Sequence, residues 1–265
     1  MRKLLLILFL LMSLQQAYSQ LETSADYRRQ VFEKEFTFGI SGHSRGYTIN
    51  TRLMKFRDGF TKTGLEIDLV KLRHPKEVKS PVVGQGGNSR GFVFNRINSF
   101  YTIRAGYIYQ NILFDKTDQG TVAITLVVSG GLSLGLVKPV FIQLPPEDNA
   151  FGSEIRDVRY NPLEHNQSGF LGESNWFKGI WQTKLKPGVY AKVGVNFDYQ
   201  LIEKKVTALE AGIVYDYFMF PQLGVAGDGF FSDVPIFYED ANTENVNWTG
   251  FFQMYIAFNF GFRKN

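Results

Sequence analysis

The sequence contains no cysteine, which excludes disulfide bonds and thiolate metal sites. Beyond residue 19 no run of 18 consecutive apolar residues occurs, so no transmembrane helix is expected. Only three histidines are present, His43, His74 and His165, which leaves few candidates for acid–base chemistry. An exported chain without disulfides needs another source of stability, and a closed sheet with a continuous hydrogen-bond ladder supplies one.

Residues 1–19 have the pattern of a secretory signal peptide. Arg2 and Lys3 form a basic region, an apolar run follows over 4–14, and 17–19 fit a small-x-small cleavage site. A membrane anchor is the alternative, but the apolar run is short for a membrane span. No cysteine follows it, which excludes a lipidated anchor. We expect residues 20–33 to form a short periplasmic leader of the mature chain.

The charge balance does not favour a nucleic-acid partner. The formal net charge is +4, and removal of Arg2 and Lys3 lowers it by two. No basic arm or stripe follows, so nucleic-acid binding is not expected. Aromatic residues make up 15% of the chain, with 25 Phe and 13 Tyr. Phe suits lipid-facing positions and Tyr suits the membrane interface, so this excess favours a membrane protein.

The last stretch, residues 249–262, has the clearest pattern in the chain. From Phe252 on, every second residue is large and apolar, and the residues between are polar, small or amphipathic. A period of two predicts a strand with one apolar face, of a length that suits a tilted membrane crossing. We expect this strand to close a transmembrane β-barrel. Its apolar face consists of Phe252, Met254, Ile256, Phe258, Phe260 and Phe262.

The same alternation predicts seven further strands. They are expected at 34–43, 47–57, 61–72, 99–114, 120–137, 185–200 and 205–219. Asp58-Gly59 is a hairpin signal, and its register places Arg52 opposite Glu66. After the first connection, long and short connections alternate, as in bacterial outer-membrane barrels with both termini in the periplasm. The long outer loops are predicted at 73–98, 138–184 and 220–248, within one barrel domain at 34–262 that is followed by a tail at 263–265.

This pattern resembles the small eight-stranded outer-membrane barrels of Gram-negative bacteria, the OmpX and OmpA membrane-domain type. The resemblance covers residues 34–262 and rests on pattern rather than on a signature motif. It departs from the type at the C-terminus, where residues 263–265 follow the last aromatic. The resemblance implies an all-β, antiparallel up-and-down transmembrane barrel in the cell outer membrane. Its surroundings would be outer-membrane lipid and lipopolysaccharide. The resemblance also implies that the last strand, with its apolar face at 252–262, is the insertion signal for the barrel-assembly machinery.

Alternation alone does not decide which face of the barrel meets lipid. A soluble lipocalin-like barrel also has eight strands, but its apolar face points inward. Here the polar face is rich in Gly, Ser, Thr and paired charges, which suits a narrow interior. The apolar faces are long and almost free of charge, and every backbone group of a closed barrel is bonded within the chain. These features favour the membrane barrel.

The polar face carries charged residues that are expected to point into the barrel. Isolated charges in a narrow interior are costly, so they should pair, Arg52 with Glu66 and Lys192 with Glu210. Eight strands leave an interior just filled by side chains. A structural salt-bridge network that plugs the lumen is therefore favoured over a narrow ion or proton path. The predicted network consists of Arg52, Glu66, Asp68, Arg104, Lys192, Asp198, Glu210 and Asp216.

An enzymatic role is not expected. His43 beside Ser41 or Ser44 is the one local pairing of a base with a nucleophile, and no motif surrounds it. No cofactor or metal is predicted. Carboxylates that alternate with glycine in the acidic loop 220–248 could hold calcium, but their spacing matches no calcium-binding motif, so a solvated acidic loop is favoured.

Long loops on a rigid scaffold are where binding usually resides. We therefore expect a non-enzymatic barrel that acts through its loops as an accessory subunit of a larger outer-membrane assembly, secretion or uptake complex. Its partners would be other outer-membrane proteins. The alternatives are a narrow channel, a stand-alone adhesion or stability barrel, and a lipid-modifying enzyme.

Overall fold

The computed structural model describes residues 32–73, 77–81, 91–114, 122–145, 155–165, 171–199, 204–218 and 250–264. The predicted signal peptide, most of the predicted leader and the acidic loop 220–248 lie outside these ranges. Of the helical residues that are described, none belongs to a helix long and apolar enough to cross a membrane.

The described chain is built almost entirely of strands, because its apolar and polar residues alternate with a period of two. One short 3-10 helix covers Ile180–Gln182. The strands are β1 (Lys34–His43), β2 (Gly46–Phe56), β3 (Thr61–Leu72), β4 (Lys79–Pro81), β5 (Gly91–Val93), β6 (Asn98–Phe114), β7 (Ala123–Pro139), β8 (Phe141–Leu144), β9 (Arg156–Arg159), β10 (Gly172–Glu173), β11 (Lys184–Asp198), β12 (Lys205–Phe218) and β13 (Gly250–Lys264).

Eight of these strands form a closed antiparallel barrel in the order β1-β13-β12-β11-β7-β6-β3-β2. The last strand closes the barrel against the first, with a register that runs from Lys34 opposite Lys264 to His43 opposite Tyr255. Closure leaves no sheet edge, so the backbone groups of the barrel strands bond within the chain. The predicted all-β, eight-stranded up-and-down barrel is confirmed.

The two ends of the barrel differ. One end, called here the turn end, carries both ends of the described chain and the β2–β3, β6–β7 and β11–β12 connections. The other end, called the loop end, carries the β1–β2 turn and the strand ends that flank the three long connections. Two small sheets belong to the loop end, β4 with β5, and β8 between β9 and β10.

The predicted β2–β3 hairpin is confirmed together with its register. Arg57 donates its backbone N–H to the carbonyl of Thr61 at 2.9 Å, and Arg52 lies directly opposite Glu66. Asp58 holds the turn because its carboxylate accepts the backbone N–H of Thr61 at 2.6 Å.

The β1–β2 turn at the loop end depends on a glycine. Gly46 has φ 148°, and a Cβ there would lie 2.0 Å from the carbonyl oxygen of Lys71. Only glycine fits this combination of backbone angle and close approach.

The outer face of the barrel is apolar and the inner face is polar. On β13, Phe252, Met254, Ile256, Phe258, Phe260 and Phe262 are 50–62% exposed, whereas Gln253 and Asn259 between them are buried. A surface of this kind around the whole barrel is far larger than the apolar patches of soluble monomers, so it is a surface for lipid. The lipocalin-like alternative would require the opposite arrangement of the two faces.

Several predicted boundaries differ from the observed ones. The last strand continues through Arg263 and Lys264, which the pattern assigned to a tail, because the Arg263 side chain turns into the barrel and forms ion pairs there. β7 continues to Pro139, past the predicted end at 137. The predicted loops 73–98 and 138–184 contain β4, β5 and β8–β10, since their short apolar stretches pair with one another over the loop end.

Candidate functional site

The barrel interior is filled by charged side chains, which form three groups from the turn end to the loop end. All eight residues of the predicted network lie on the inner wall and are at most 7% exposed. Seven of them are shared between the central group and the group nearer the loop end. The eighth residue, Asp198, lies at the turn end. Lys192 does not pair with Glu210, so the observed contacts differ from a simple pairing of neighbouring strands.

The central group is organised by the guanidinium of Arg52. It donates to Glu66 at 2.9 Å and to both carboxylate oxygens of Glu210, at 2.6 and 2.8 Å. Arg52 and Glu66 are 1% exposed and Glu210 is fully buried. A planar guanidinium can bond two carboxylates at once, which makes Arg52 the link between opposite walls of the barrel.

Both carboxylates of the central group have further partners. Glu66 accepts hydrogen bonds from Ser129 at 2.8 Å and from the ammonium of Lys192. Glu210 accepts from the hydroxyl of Tyr255 at 2.7 Å. The predicted Lys192–Glu210 pair is therefore wrong. In the β11–β12 register Lys192 lies opposite Val214, four residues from Glu210, and its side chain extends across the lumen to Glu66 instead.

The group nearer the loop end is organised by Arg104. Its guanidinium donates to both carboxylate oxygens of Asp216, at 2.8 and 2.6 Å, and to Gln253 at 3.2 Å. Gln253 donates to Asp216 at 2.7 Å in turn. Asp68 is 3.5 Å from Arg104 and 3.8 Å from Lys192, so it connects this group to the central one.

The third group lies at the turn end, and sequence reasoning missed most of it. Glu35 accepts two hydrogen bonds from Lys62, at 2.9 and 3.0 Å, and one from Arg263 at 2.7 Å. Arg263 also donates to Asp198 at 2.8 Å. Because side chains alternate along a strand, Glu35 on β1 and Lys62 on β3 lie on the inner face. The alternation in the sequence is therefore sufficient to predict that both point into the barrel.

The loop end of the lumen is closed by apolar side chains, which sequence reasoning also missed. The rings of Phe100, Phe218 and Phe251, called here the phenylalanine seal, have centroids 5.1, 5.4 and 5.8 Å apart. All three are at most 3% exposed, and they pack with buried Val70, Leu72 and Val137. The alternation of β6, β12 and β13 puts these positions inside, but they are apolar and break the rule of a polar interior.

A small pocket lies among the ionic groups, where Asp68, Arg104 and Lys192 form part of its lining. Its volume of about 10 Å³ is room for about one water molecule. His43 and Ser41 both line it, but Nε2 of His43 has no hydrogen-bond partner among the described residues. Ser44, the other predicted partner, accepts the backbone N–H of Met254 at 3.3 Å on the barrel rim. Within the described ranges no three His, Asp or Glu side chains are grouped so as to hold a metal ion.

The loop end carries a folded unit with its own core. Phe92, Val140, Ile142 and Tyr160 are at most 3% exposed and pack together, with Phe92 supplied by β5 and Ile142 by β8. Asp157 connects this unit to the segment that follows β10. Its carboxylate accepts a hydrogen bond from the Ser174 hydroxyl at 2.6 Å and forms an ion pair with Lys178 at 3.1 Å. Both contacts lower the pKa of the Asp157 carboxyl, and the Ser174 hydroxyl is the larger cause.

No protein-family model and no curated protein matches this sequence. Among solved structures the chain is similar to Neisserial surface protein A, with 12% sequence identity. The similarity covers 88% of this chain and 95% of that chain, with a TM-score of 0.35.

The class of protein is defined by the chain's own geometry. A closed, eight-stranded antiparallel barrel with an apolar exterior and a charged, filled interior is the fold of a small outer-membrane β-barrel.

Proposed function

We propose that this chain is a non-enzymatic outer-membrane barrel that acts by contact through its loop end, as an accessory subunit of a larger outer-membrane assembly, secretion or uptake complex. The observation that carries the proposal is the contrast between lumen and loop end. The lumen is filled by ion pairs and the phenylalanine seal, whereas the loop end builds a unit with its own hydrophobic core.

The filled interior argues against a narrow channel. A conducting path requires a continuous line of water or of exchangeable ion sites. In this barrel Arg52 bonds both walls in the centre, and apolar rings block the route beyond it. A steady conductance of the purified protein in planar lipid bilayers would favour the channel instead.

The exposed surface of the loop-end unit supports contact with a protein partner. Ile155 and Leu163 are 53% and 74% exposed there, and Arg159 on β9 of the same unit is exposed as well. Exposed apolar residues bordered by charge are typical of interaction surfaces.

The test is affinity purification of the whole protein from its own membranes in mild detergent, followed by mass spectrometry. We expect other outer-membrane proteins to co-purify in fixed proportion, and the Arg159→Glu variant to lose most of them. Lys204→Glu is the matched control, because it reverses an exposed charge at the turn end. A barrel that elutes alone under all conditions would contradict the subunit role.

We also propose that the loop end faces the cell exterior, with both termini in the periplasm. Because the chain has no cysteine, a single introduced thiol can be labelled without background. A membrane-impermeant maleimide on intact cells is expected to label Arg159→Cys several-fold more than Lys204→Cys. After the outer membrane is permeabilised, both positions should react equally. The reverse pattern on intact cells would invert the proposed orientation.

A further inference from the structure

The segment 175–182, called here the tryptophan turn, exposes apolar and aromatic side chains beside the barrel wall. Trp181 is 97% exposed, Phe177 69%, Trp176 50% and Ile180 41%. None of the side chains of the 3-10 helix in this turn is buried. Such a cluster is costly in water, so it requires an occupant on its open side.

The turn is held in a fixed position. Ser174 and Lys178 both contact Asp157, and the backbone N–H of Ser174 donates to the carbonyl of Phe141 at 2.8 Å. Lys178 also closes a hydrogen-bonded turn with the carbonyl of Asn175 at 2.9 Å. The exposed side chains are therefore presented by an ordered structure.

The turn is continuous with the lipid-facing surface of the barrel. The indole N–H of Trp176 donates to the hydroxyl of Tyr101 at 2.8 Å, and the two rings meet edge to face with centroids 6.0 Å apart. Tyr101 belongs to the outer face of β6, in the same row as exposed Ile103 and Tyr107. The contact thus places the turn against the outside of the wall.

Two lysines flank this aromatic contact on the outer face. The ammonium of Lys71 is 5.5 Å from the centroid of the Tyr101 ring, and that of Lys138 is 5.7 Å from the Trp176 ring. Tyrosine, tryptophan and lysine side chains combine an apolar body with a polar tip, which suits the boundary between acyl chains and headgroups. The ammonium of half-buried Lys71 can complement a lipid phosphate at this level, whereas Lys138 is 7% exposed and packs against the Trp176 ring.

We propose that the tryptophan turn, with Lys71 and Tyr101, docks onto anionic lipid headgroups of the leaflet at the loop end, and that Phe177, Ile180 and Trp181 enter the boundary of its acyl chains. The site would hold the loop-end unit at a fixed height and tilt over the membrane. The proposal rests on the proposed membrane location of the barrel. The bromine experiment distinguishes an error in that location from an error in the docking site.

The test places the full chain in phosphatidylcholine vesicles whose acyl chains carry bromine, which quenches nearby indoles. The variant Trp176→Phe/Trp248→Phe keeps Trp181 as its reporter, and Trp181→Phe/Trp248→Phe keeps Trp176. A third variant replaces all three tryptophans with Phe and adds Phe258→Trp on the lipid-facing side of β13. Heat-modified migration on gels verifies that each variant is folded.

We expect brominated lipid to reduce the emission of Trp181 several-fold, and aqueous iodide to have little effect on it. If iodide quenches Trp181 and bromine does not, while the indole at position 258 is quenched by bromine, the turn faces water or a protein and the proposal is wrong. If the indole at 258 is not quenched by bromine either, the membrane location itself is wrong.

The headgroup part of the proposal has a separate readout. Adding phosphatidylglycerol to the vesicles is expected to shift Trp181 emission further to the blue, and Lys71→Gln should remove most of that extra shift. Lys55→Gln is the matched control, because Lys55 also lies on the outer face but close to the turn end. An equal loss of the extra blue shift in both variants, or an emission of Trp181 that does not depend on phosphatidylglycerol, would overturn the role of anionic headgroups.

Discussion

Replacement of Arg52 by Met is expected to lower the free energy of unfolding by about 3–5 kcal/mol, the usual cost of removing one partner from a buried ion pair. Methionine has a similar length but no charge, so the change leaves two carboxylates in the middle of the lumen without their shared cation. Glu66 keeps Lys192 and Ser129 as partners. Glu210 keeps only neutral hydrogen-bond donors, Tyr255 and Asn259. Its buried, unpaired charge therefore accounts for most of the loss of unfolding free energy.

The measurement is urea unfolding of the folded barrel in detergent micelles, followed by tryptophan fluorescence. Lys55→Met on the outer face of the same strand is the control and is expected to change stability by less than about 1 kcal/mol, as surface substitutions do. The double variant Arg52→Met/Glu210→Gln should lose less unfolding free energy than the sum of the losses in the two single variants, since it removes the uncompensated charge. Equal effects of Arg52→Met and Lys55→Met would show that the central group contributes nothing specific.

The strands and their inner faces could be predicted because side chains alternate strictly on a strand. Every residue of the predicted interior network lies inside, since each belongs to the polar half of an alternating segment. The register that places Arg52 opposite Glu66 could also be predicted, because a short turn fixes which residues of two strands lie opposite each other.

Contacts across the lumen could not be predicted in this way. Arg52 on β2 reaches Glu210 on β12, although β1 and β13 lie between those strands along the sheet. Long flexible side chains select partners by the distance across a narrow tube rather than by register, which is why Lys192 pairs with Glu66 and not with Glu210. The depth and tilt of the strands set these distances, and neither is encoded in a local pattern.

The loop-end unit was missed for a different reason. Its strands have two to four residues each, and prolines interrupt the segment, so no periodic signal accumulates over a useful window. What stabilises them is a core assembled from distant parts of the chain, in which Phe92 contacts Tyr160 with ring centroids 5.0 Å apart. Pairings of this kind depend on the barrel bringing both connections to the same end.

The phenylalanine seal leads to the second large expected effect. Phe218 is fully buried and its ring meets the edges of Phe100 and Phe251. Glycine at position 135 leaves room for this packing, because a Cβ there would lie 2.7 Å from the Phe100 ring. The seal is therefore a close-packed core inside the lumen, where the loss of a ring leaves a cavity that rigid barrel walls cannot fill.

Phe218→Ala is thus expected to lower the free energy of unfolding by about 3–5 kcal/mol, the usual cost of truncating a buried phenylalanine. Phe258→Ala removes the same ring from the lipid-facing side, where 57% of the residue is exposed and lipid or detergent can fill the vacated space. Its expected effect in the same urea unfolding measurement is therefore smaller. A loss for Phe218→Ala no larger than that for Phe258→Ala would mean that the seal is loosely packed and does not stabilise the barrel.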